Sequence, residues 1–139
     1  MLQKAMVCVG LCTALLAGCA GMEAGPTDEE IIESQLNTMK AGIEQQDIDV
    51  VVSTFSESFY HPQVADKEAA RNMLQLGVES GYGSGAGMDW EDADIVITGN
   101  EASIYPVEVW SDAGVTSVEV MMAKEAEGWY VTTLNIDAL

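Results

Sequence analysis

Three segments in the last third of the chain have the composition of β-strands. They cover residues 101–111, 115–124 and 129–136, and each is rich in β-branched and aromatic residues. The turns between them, 112–114 and 125–128, are short and end in glycine. Because such turns leave no room for a helix, the pattern predicts an antiparallel meander. One face of that sheet needs a cover, and the only cover available is the first half of the chain.

Helical patterns with clear start signals fill much of the first half. Thr27 and Glu30 have the spacing of a capping box, which predicts a helix from Thr27 to about Gln46. Asp47 and Asp66 predict the N-caps of a second helix to about residue 55 and a third to about residue 79. The apolar stripe of the first helix consists of Ile32, Leu36, Met39 and Ile43.

The remaining segments complete an α+β order of helix, helix, short strand, helix and four strands. Residues 56–64 are expected to be a short extended piece, and residues 80–87, with four glycines, a flexible connector. Residues 88–98 are predicted to be the first long strand, followed by a tight hairpin at Gly99-Asn100. Pro106 predicts a bulge or an edge in the next strand. The sequence therefore does not decide which face of the sheet the residues after Pro106 occupy.

The beginning of the chain resembles a bacterial lipoprotein signal. Lys4 precedes an apolar run over residues 5–16 that is too short to span a bilayer. The run ends in Leu16-Ala17-Gly18-Cys19, which resembles the lipobox, where the cysteine thiol is lipidated before cleavage. The resemblance implies a signal peptide over residues 1–18 and lipidation of Cys19. An ordinary signal peptide or a transmembrane stub is the alternative.

The mature chain would keep a single cysteine. Cys8 and Cys12 lie inside the signal, so no disulfide can form within one mature chain. Residues 19–26 are expected to be a tether, and residues 27–139 are long enough for one domain. By analogy with enteric bacteria, where Asp after the lipidated cysteine marks retention in the inner membrane, Ala20 indicates the outer membrane, facing the periplasm.

The chain is strongly acidic. It has 23 Asp and Glu against 5 Lys and Arg, a formal net charge of −18. Nucleic acid and anionic membrane surfaces repel such a chain, so no nucleic-acid partner is expected and membrane contact is assigned to the lipid on Cys19. The acidic residues are scattered, as on a solvated surface; divalent cation binding is the alternative. Because no run has the spacing of a calcium loop, no metal or cofactor is predicted.

Four motifs, in this order, resemble the nuclear transport factor 2-like (NTF2-like) superfamily, over residues 27–136. They are Glu44-Gln-Gln-Asp-Ile-Asp-Val-Val-Val-Ser-Thr-Phe55, Phe59-Tyr-His-Pro62, Asp66-Lys-Glu-Ala69 and Glu127-Gly-Trp-Tyr-Val131. The resemblance implies a cystatin-like cone, in which N-terminal helices pack on a curved, mainly antiparallel sheet. Such a cone normally encloses a pocket, and function resides in the pocket and not in the fold itself.

Five side chains are candidates for that pocket. His61 is the only histidine, a residue type whose side chain suits general acid or base catalysis; a surface or structurally hydrogen-bonded role is the alternative. Four aromatic residues are candidate ligand contacts, although core packing is the alternative for aromatic residues on strands. They are Tyr60, Trp90, Tyr105 and Trp110.

Two functions follow from these observations. The first is a lipid-anchored envelope protein whose non-catalytic domain binds a small apolar ligand or another protein, with a homodimer through the exposed sheet face as one form. The second is a small enzyme similar to the SnoaL-like and ketosteroid isomerase branches, with His61 as general base. The sequence departs from the isomerase pattern, since the first helix has no tyrosine and His61-Pro62 stands where a carboxylate is expected.

Overall fold

The structure, a computed structural model, describes residues 25–136 of the 139-residue chain. The signal peptide, Cys19 and most of the tether lie outside the described residues, so the lipid anchor stays a prediction. The elements are α1 Asp28–Gln45, α2 Ile48–Ser53, α3 Lys67–Glu79, β1 Gly87–Asp89, β2 Asp94–Thr98, β3 Glu101–Ser111, β4 Gly114–Glu125 and β5 Gly128–Ile136. None of the described helices has both the length and the apolar character that crossing a membrane requires.

All three helices begin at the predicted caps. The Thr27 hydroxyl accepts from the Glu30 amide at 3.2 Å, and the Glu30 carboxylate accepts from the Thr27 amide at 2.7 Å, which completes the capping box. Asp47 accepts from the Val50 amide at 3.2 Å at the start of α2. Asp66 does the same for α3 through the Ala69 amide at 2.8 Å.

The strands form one antiparallel sheet in which β3 is central. β3 pairs with β4 along one edge, and β4 pairs with β5. The other edge of β3 pairs with β2 near its beginning and with β1 near its end. The meander predicted for the last third of the chain is confirmed.

The prediction of one continuous strand over residues 88–98 is wrong, because this segment forms two strands, β1 and β2, with a turn between them. The Asp89 carboxylate accepts from the Glu91 amide at 2.9 Å, and the Ala93 amide donates to the Trp90 carbonyl at 3.0 Å. Asp is a poor strand former whose side chain bonds to its own backbone two residues later, so a turn forms here. β1 and β2 therefore contact two separate parts of β3.

The prediction of a short strand within residues 56–64 is also wrong. This segment forms only a turn closed by a bridge between His61 and Val64, while Phe55 forms a parallel bridge with Val131 of β5. The amides of Ser56 and Tyr60 donate to the carbonyls of residues 131 and 132 at 2.8 and 3.0 Å. The segment thus covers part of the β5 edge with irregular backbone, as a proline-containing stretch can.

Pro106 lies at a bulge in β3. Ile104 is opposite Val120 and Val107 is opposite Val118, so β3 carries one extra residue between these pairs. The bulge places Ile104 and Val107 on the same, buried face of the sheet, and Glu108 is exposed. Proline is tolerated here because the partners of β3 change from β2 to β1 between residues 105 and 108.

The core lies between α1 and the inner face of the sheet. Ile32, Leu36 and Met39 of α1 are buried, which confirms the predicted apolar stripe. On the sheet side the buried residues include Ala102, Ile104, Val107, Val118, Val120, Met122, Trp129 and Val131. The predicted α+β architecture, with N-terminal helices packed on an antiparallel sheet, is therefore present.

Candidate functional site

A cavity of about 580 Å³ lies between the helices and one end of the sheet. Its helical walls come from the second half of α1, from α2 and from α3. Its sheet wall comes from β1, from the part of β3 after Pro106, and from β4 and β5. The loop over residues 80–86 closes the remaining side. This volume is within the range of about 300–1,000 Å³ that is usual for small-molecule sites.

The deep part of the cavity is apolar. Its buried lining residues are Met39, Val51, Phe55, Met88, Val107, Val118 and Val120. Phe55 is fixed by stacking on Phe59, with ring centroids 4.5 Å apart. A ligand that reaches this depth must be apolar, because nothing there can replace the hydrogen bonds that a polar group makes to water.

The mouth of the cavity is also rich in apolar side chains. Met73 and Tyr82 lie on the helical side, and Val115 and Ile136 lie on the sheet side. These four are exposed to solvent, Val115 by 71% and Tyr82 by 69% of its surface. Large exposed apolar groups around a concavity are typical of a binding site.

Among residues 25–136, no charged side chain lines the cavity. Its polar lining side chains among the described residues belong to Gln46, Tyr82, Ser111 and Thr116, and none of these is buried. This is unusual for a chain in which 20% of all residues are charged. The arrangement can hold an uncharged apolar body, and it offers hydrogen-bonding groups only near the solvent.

The glycine-rich loop forms a wall of the cavity through a series of turns. Tyr82 and Ala86 donate their amides to the carbonyls of Gly77 and Gly83 at 2.9 and 3.2 Å, and the Asp112 amide donates to the Ser84 carbonyl at 2.9 Å. The loop is therefore tied to α3 and to the β3–β4 turn, and is more than the flexible connector that its composition indicates. A Cβ on Gly83 would lie 3.1 Å from Gln46 Oε1, so glycine lets the Gln46 side chain lie against the loop.

The structure places one of the five predicted site residues in the cavity. Trp110 lines it, whereas Tyr60, His61, Trp90 and Tyr105 are not among its lining residues. Tyr60 and Tyr105 are exposed. Trp90 is half-buried against the core, with the Lys40 ammonium 5.7 Å from its ring centroid. This cavity therefore brings together none of the other four candidates with Trp110, and ligand binding by the five residues stays a prediction.

His61 lies in the turn beside β5 and not at the mouth of the cavity. Its Nδ1 accepts from the Gln63 amide at 3.1 Å, and its backbone pairs with Val64. This hydrogen bond is the structural role that the sequence leaves open as the alternative. General base catalysis by His61 stays a prediction, and the lining residues between positions 25 and 136 include no carboxylate that could assist it.

Sequence reasoning missed most of the cavity lining. Tyr82 and Met73 lie outside the four motifs, and Gln46 lies in the first of them without any feature that marks it as a cavity residue. The apolar face of α3 can be read from the sequence, but such a face predicts packing against the core and not a cavity. The one available signal was the density of glycines over residues 80–87, because glycine permits close approach of backbone to other groups.

Two carboxylates have lowered pKa values, and both lie outside the cavity. The pKa of Asp28 is lowered because Lys124 Nζ lies 2.9 Å and Trp129 Nε1 3.0 Å from Asp28 Oδ1. On the outer face of the sheet, the pKa of Glu119 is lowered by hydrogen bonds from Asn135 and Ser103. Both groups stabilise the fold and neither faces the cavity lining.

Within residues 25–136, no group of three or more His, Cys, Asp and Glu side chains is arranged to hold a metal ion. The four basic side chains in this range each form an ion pair with a carboxylate. The pairs are Lys40–Glu44, Lys67–Glu57, Arg71–Asp49 and Lys124–Asp28.

Comparison with solved structures identifies the architecture. A protein of unknown function with a cystatin-like fold from Nostoc punctiforme matches with a TM-score of 0.64 and 18% identity, over 83% of this chain and 93% of the other. An NTF2-like protein of unknown function from Pseudomonas putida matches with a TM-score of 0.62 and 12% identity, over 78% and 84% of the two chains. The fold is NTF2-like.

A further NTF2-like protein of unknown function, from Shewanella oneidensis, matches with a TM-score of 0.63 and 7% identity, over 79% of this chain and 98% of the other. No protein-family model and no curated protein matches the sequence. At these identities the likeness concerns the NTF2-like fold alone, and it confirms the fold that the four sequence motifs predict.

Proposed function

We propose that this chain is a lipid-anchored bacterial envelope protein whose NTF2-like domain binds a small apolar ligand in the cavity between its helices and its sheet. The observation that carries this proposal is the cavity itself: about 580 Å³, apolar in its depth and, in the part of the chain that the structure describes, lined by no charged residue. Burial of apolar ligand surface there contributes about 25 cal/mol per Å². An uncharged lining suits binding better than acid–base chemistry, which needs a titratable group in contact with the reacting atoms.

The lipid anchor is proposed from Leu16-Ala17-Gly18-Cys19, and the direction of α1 is compatible with it. The tether joins the domain at the N-terminus of α1, whereas the cavity is lined by the C-terminal half of this helix. An 18-residue helix is about 27 Å long. A lipid on Cys19 would thus hold the domain by the end that is remote from the cavity mouth.

A protein partner that covers the mouth is the second candidate. Met73, Tyr82, Val115 and Ile136 form an exposed apolar rim, and such a rim suits a protein surface as well as a small molecule. The partner would have to be apolar at its centre and without strong negative charge, because this chain carries a formal charge of −18.

Ligand binding is tested by titrating the purified protein with decan-1-ol and following tryptophan fluorescence. We expect a saturable change that is lost in Trp110→Phe and retained in Trp90→Phe, since only Trp110 lines the cavity. Val109→Phe should abolish binding by filling the cavity, while Val96→Phe, the same change on exposed β2, should not. Equal affinities of the two valine variants for decan-1-ol would contradict the proposal.

The anchor is tested separately by fractionating cells that produce the native chain or Cys19→Ser. The native chain is expected in the membrane fraction, and the variant should leave it. Retention of Cys19→Ser in membranes would contradict lipidation without affecting the ligand proposal.

A further inference from the structure

We propose that the cavity selects its ligand by the charge of the polar end: it accepts amphiphiles whose head group is uncharged or cationic and discriminates against carboxylates of the same chain length. The inference rests on the proposed function, since it names the chemical class of the ligand of the same cavity. It follows from three features of the described residues, which are the position of the polar lining groups, the carboxylates beside them and the pairing of every cation.

The head group of a bound amphiphile must lie at the mouth. The buried lining residues are all apolar, and an ionised group placed among them would lose its hydration without compensation. The polar lining groups nearest to solvent are the Gln46 amide and the hydroxyls of Tyr82, Ser111 and Thr116. These neutral groups can hydrogen-bond an alcohol, an amide or an amine.

Two carboxylates flank this part of the mouth. Asp47 lies between Gln46 and Ile48, and Asp112 lies between Ser111 and Ala113; these four neighbours all line the cavity. Both aspartates are exposed and neither forms an ion pair in the described part of the chain. They make the region that receives the head group negative, which attracts a cation and repels an anion.

Within residues 25–136, no cation is available to bind an anionic head group. Each Lys and Arg within residues 25–136 already pairs with a carboxylate, and none of the four lines the cavity. His61 lies in the turn beside β5, away from the lining. A carboxylate bound at the mouth would therefore lie near Asp47 and Asp112, which adjoin the lining residues, without a counter-charge.

The size of the discrimination follows from the field of the whole chain. A formal charge of −18 on a small domain produces surface potentials of several kT, and a potential of little more than 2 kT lowers the local concentration of a monovalent anion about tenfold. The effect depends on salt, because the Debye length falls from about 30 Å at 0.01 M to about 3 Å at 1 M.

The test compares three probes of equal chain length at neutral pH: decan-1-ol, decylammonium and decanoate. In about 0.01 M salt we expect decanoate to bind about tenfold more weakly than decan-1-ol and decylammonium to bind at least as tightly. In about 1 M salt the three affinities should converge to within about threefold. Binding of decanoate as tight as that of decan-1-ol at low salt would overturn the inference.

The role of the two aspartates is tested by Asp47→Asn combined with Asp112→Asn. Asparagine keeps the N-cap of α2, so the double variant should fold. The control, Glu29→Gln combined with Glu127→Gln, removes the same charge from exposed positions that do not line the cavity. We expect the first double variant to reduce the ratio of the decan-1-ol affinity to the decanoate affinity about threefold, and the control to reduce this ratio less. Equal reductions would overturn the proposal that Asp47 and Asp112 act at the mouth.

The outcomes separate this inference from the proposed function. If decan-1-ol does not bind, or binds equally to Val109→Phe, the proposed function fails and the inference fails with it. If decan-1-ol binds in the cavity and decanoate binds there equally tightly at low salt, only the charge selection fails.

Discussion

The indole of Trp110 lies against the backbone of Gly87, its cross-strand partner between β3 and β1. A methyl group on Gly87 would lie 2.5 Å from Trp110 Cζ2 and 2.7 Å from Trp110 Nε1. The absence of a side chain on Gly87 is thus what allows the indole to lie across the strand pair, next to the Met88 and Val109 pair that lines the cavity.

Gly87→Ala is expected to displace the Trp110 indole and to destabilise the domain by about 1–3 kcal/mol, the usual cost of overpacking. Denaturant unfolding measures the free energy, and the near-ultraviolet circular dichroism of tryptophan reports the displacement. We also expect weaker decan-1-ol binding, because the neighbouring pair of β1 and β3, Met88 and Val109, lines the cavity and would shift with the strands.

Gly77→Ala is the matched control. Gly77 is inside α3, and a Cβ there would meet no atom within 4 Å. Alanine should therefore stabilise the helix by about 0.5–1 kcal/mol. If the two substitutions change stability in the same direction, the contact between Gly87 and Trp110 does not constrain the fold as we describe.

The lowered pKa of Asp28 predicts a pH-dependent contribution to stability. Since the folded state binds this proton less tightly than the unfolded state, where the pKa is about 3.9, the contribution is complete above the unfolded value. It is lost as pH falls through the folded pKa. The difference in unfolding free energy between the native protein and Asp28→Asn should thus be largest near neutral pH and should shrink below about pH 4.

Glu29→Gln is the control for that series, because Glu29 is exposed in the same first turn of α1 and forms no ion pair among the described residues. Chemical denaturation at several pH values gives the free energies. A difference for Asp28→Asn that does not change with pH would contradict a role for the Asp28 charge in the contacts with Lys124 and Trp129.

The Glu119 carboxylate connects three adjacent strands on the outer face of the sheet. It accepts from Ser103 Oγ of β3 at 2.7 Å and from Asn135 Nδ2 of β5 at 2.9 Å. Ser103→Ala should raise the pKa of Glu119 towards its ordinary value, since one of the two hydrogen bonds to the charged form is lost.

The measurement for Glu119 is a carbon-13 NMR titration of its side-chain carboxyl. Ser117→Ala is the control, because the Ser117 hydroxyl does not bond to Glu119 among the described contacts. An unchanged titration midpoint in Ser103→Ala would show that the Ser103 hydrogen bond does not hold the pKa of Glu119 down.

The helices and the meander could be predicted from the sequence because their signals are local. Thr27, Asp47 and Asp66 satisfy helix amides three residues away, and the last three strands are bounded by glycine-containing turns. The division into β1 and β2 was missed because it depends on the Asp89 side chain bonding to the Glu91 amide, a contact that competes with strand hydrogen bonds.

The candidate site was harder to predict because the cavity is assembled from segments distant in sequence. The sequence identifies Trp110 as a candidate, but the position of its indole depends on the missing side chain at Gly87, which lies on a separate strand. His61 and Tyr60 follow a motif that resembles the superfamily, yet their segment runs along the β5 edge and not over the cavity.

The central claim, that an apolar molecule occupies the cavity, is tested most directly by crystallising the protein with 10-bromodecan-1-ol and locating the bromine by anomalous scattering. We predict an anomalous peak inside the cavity, against Val107, Val118 and Phe55, in the native protein and in Val96→Phe. No such peak should appear in Val109→Phe. A native crystal that binds the probe elsewhere, or whose side chains fill the cavity, would contradict the account.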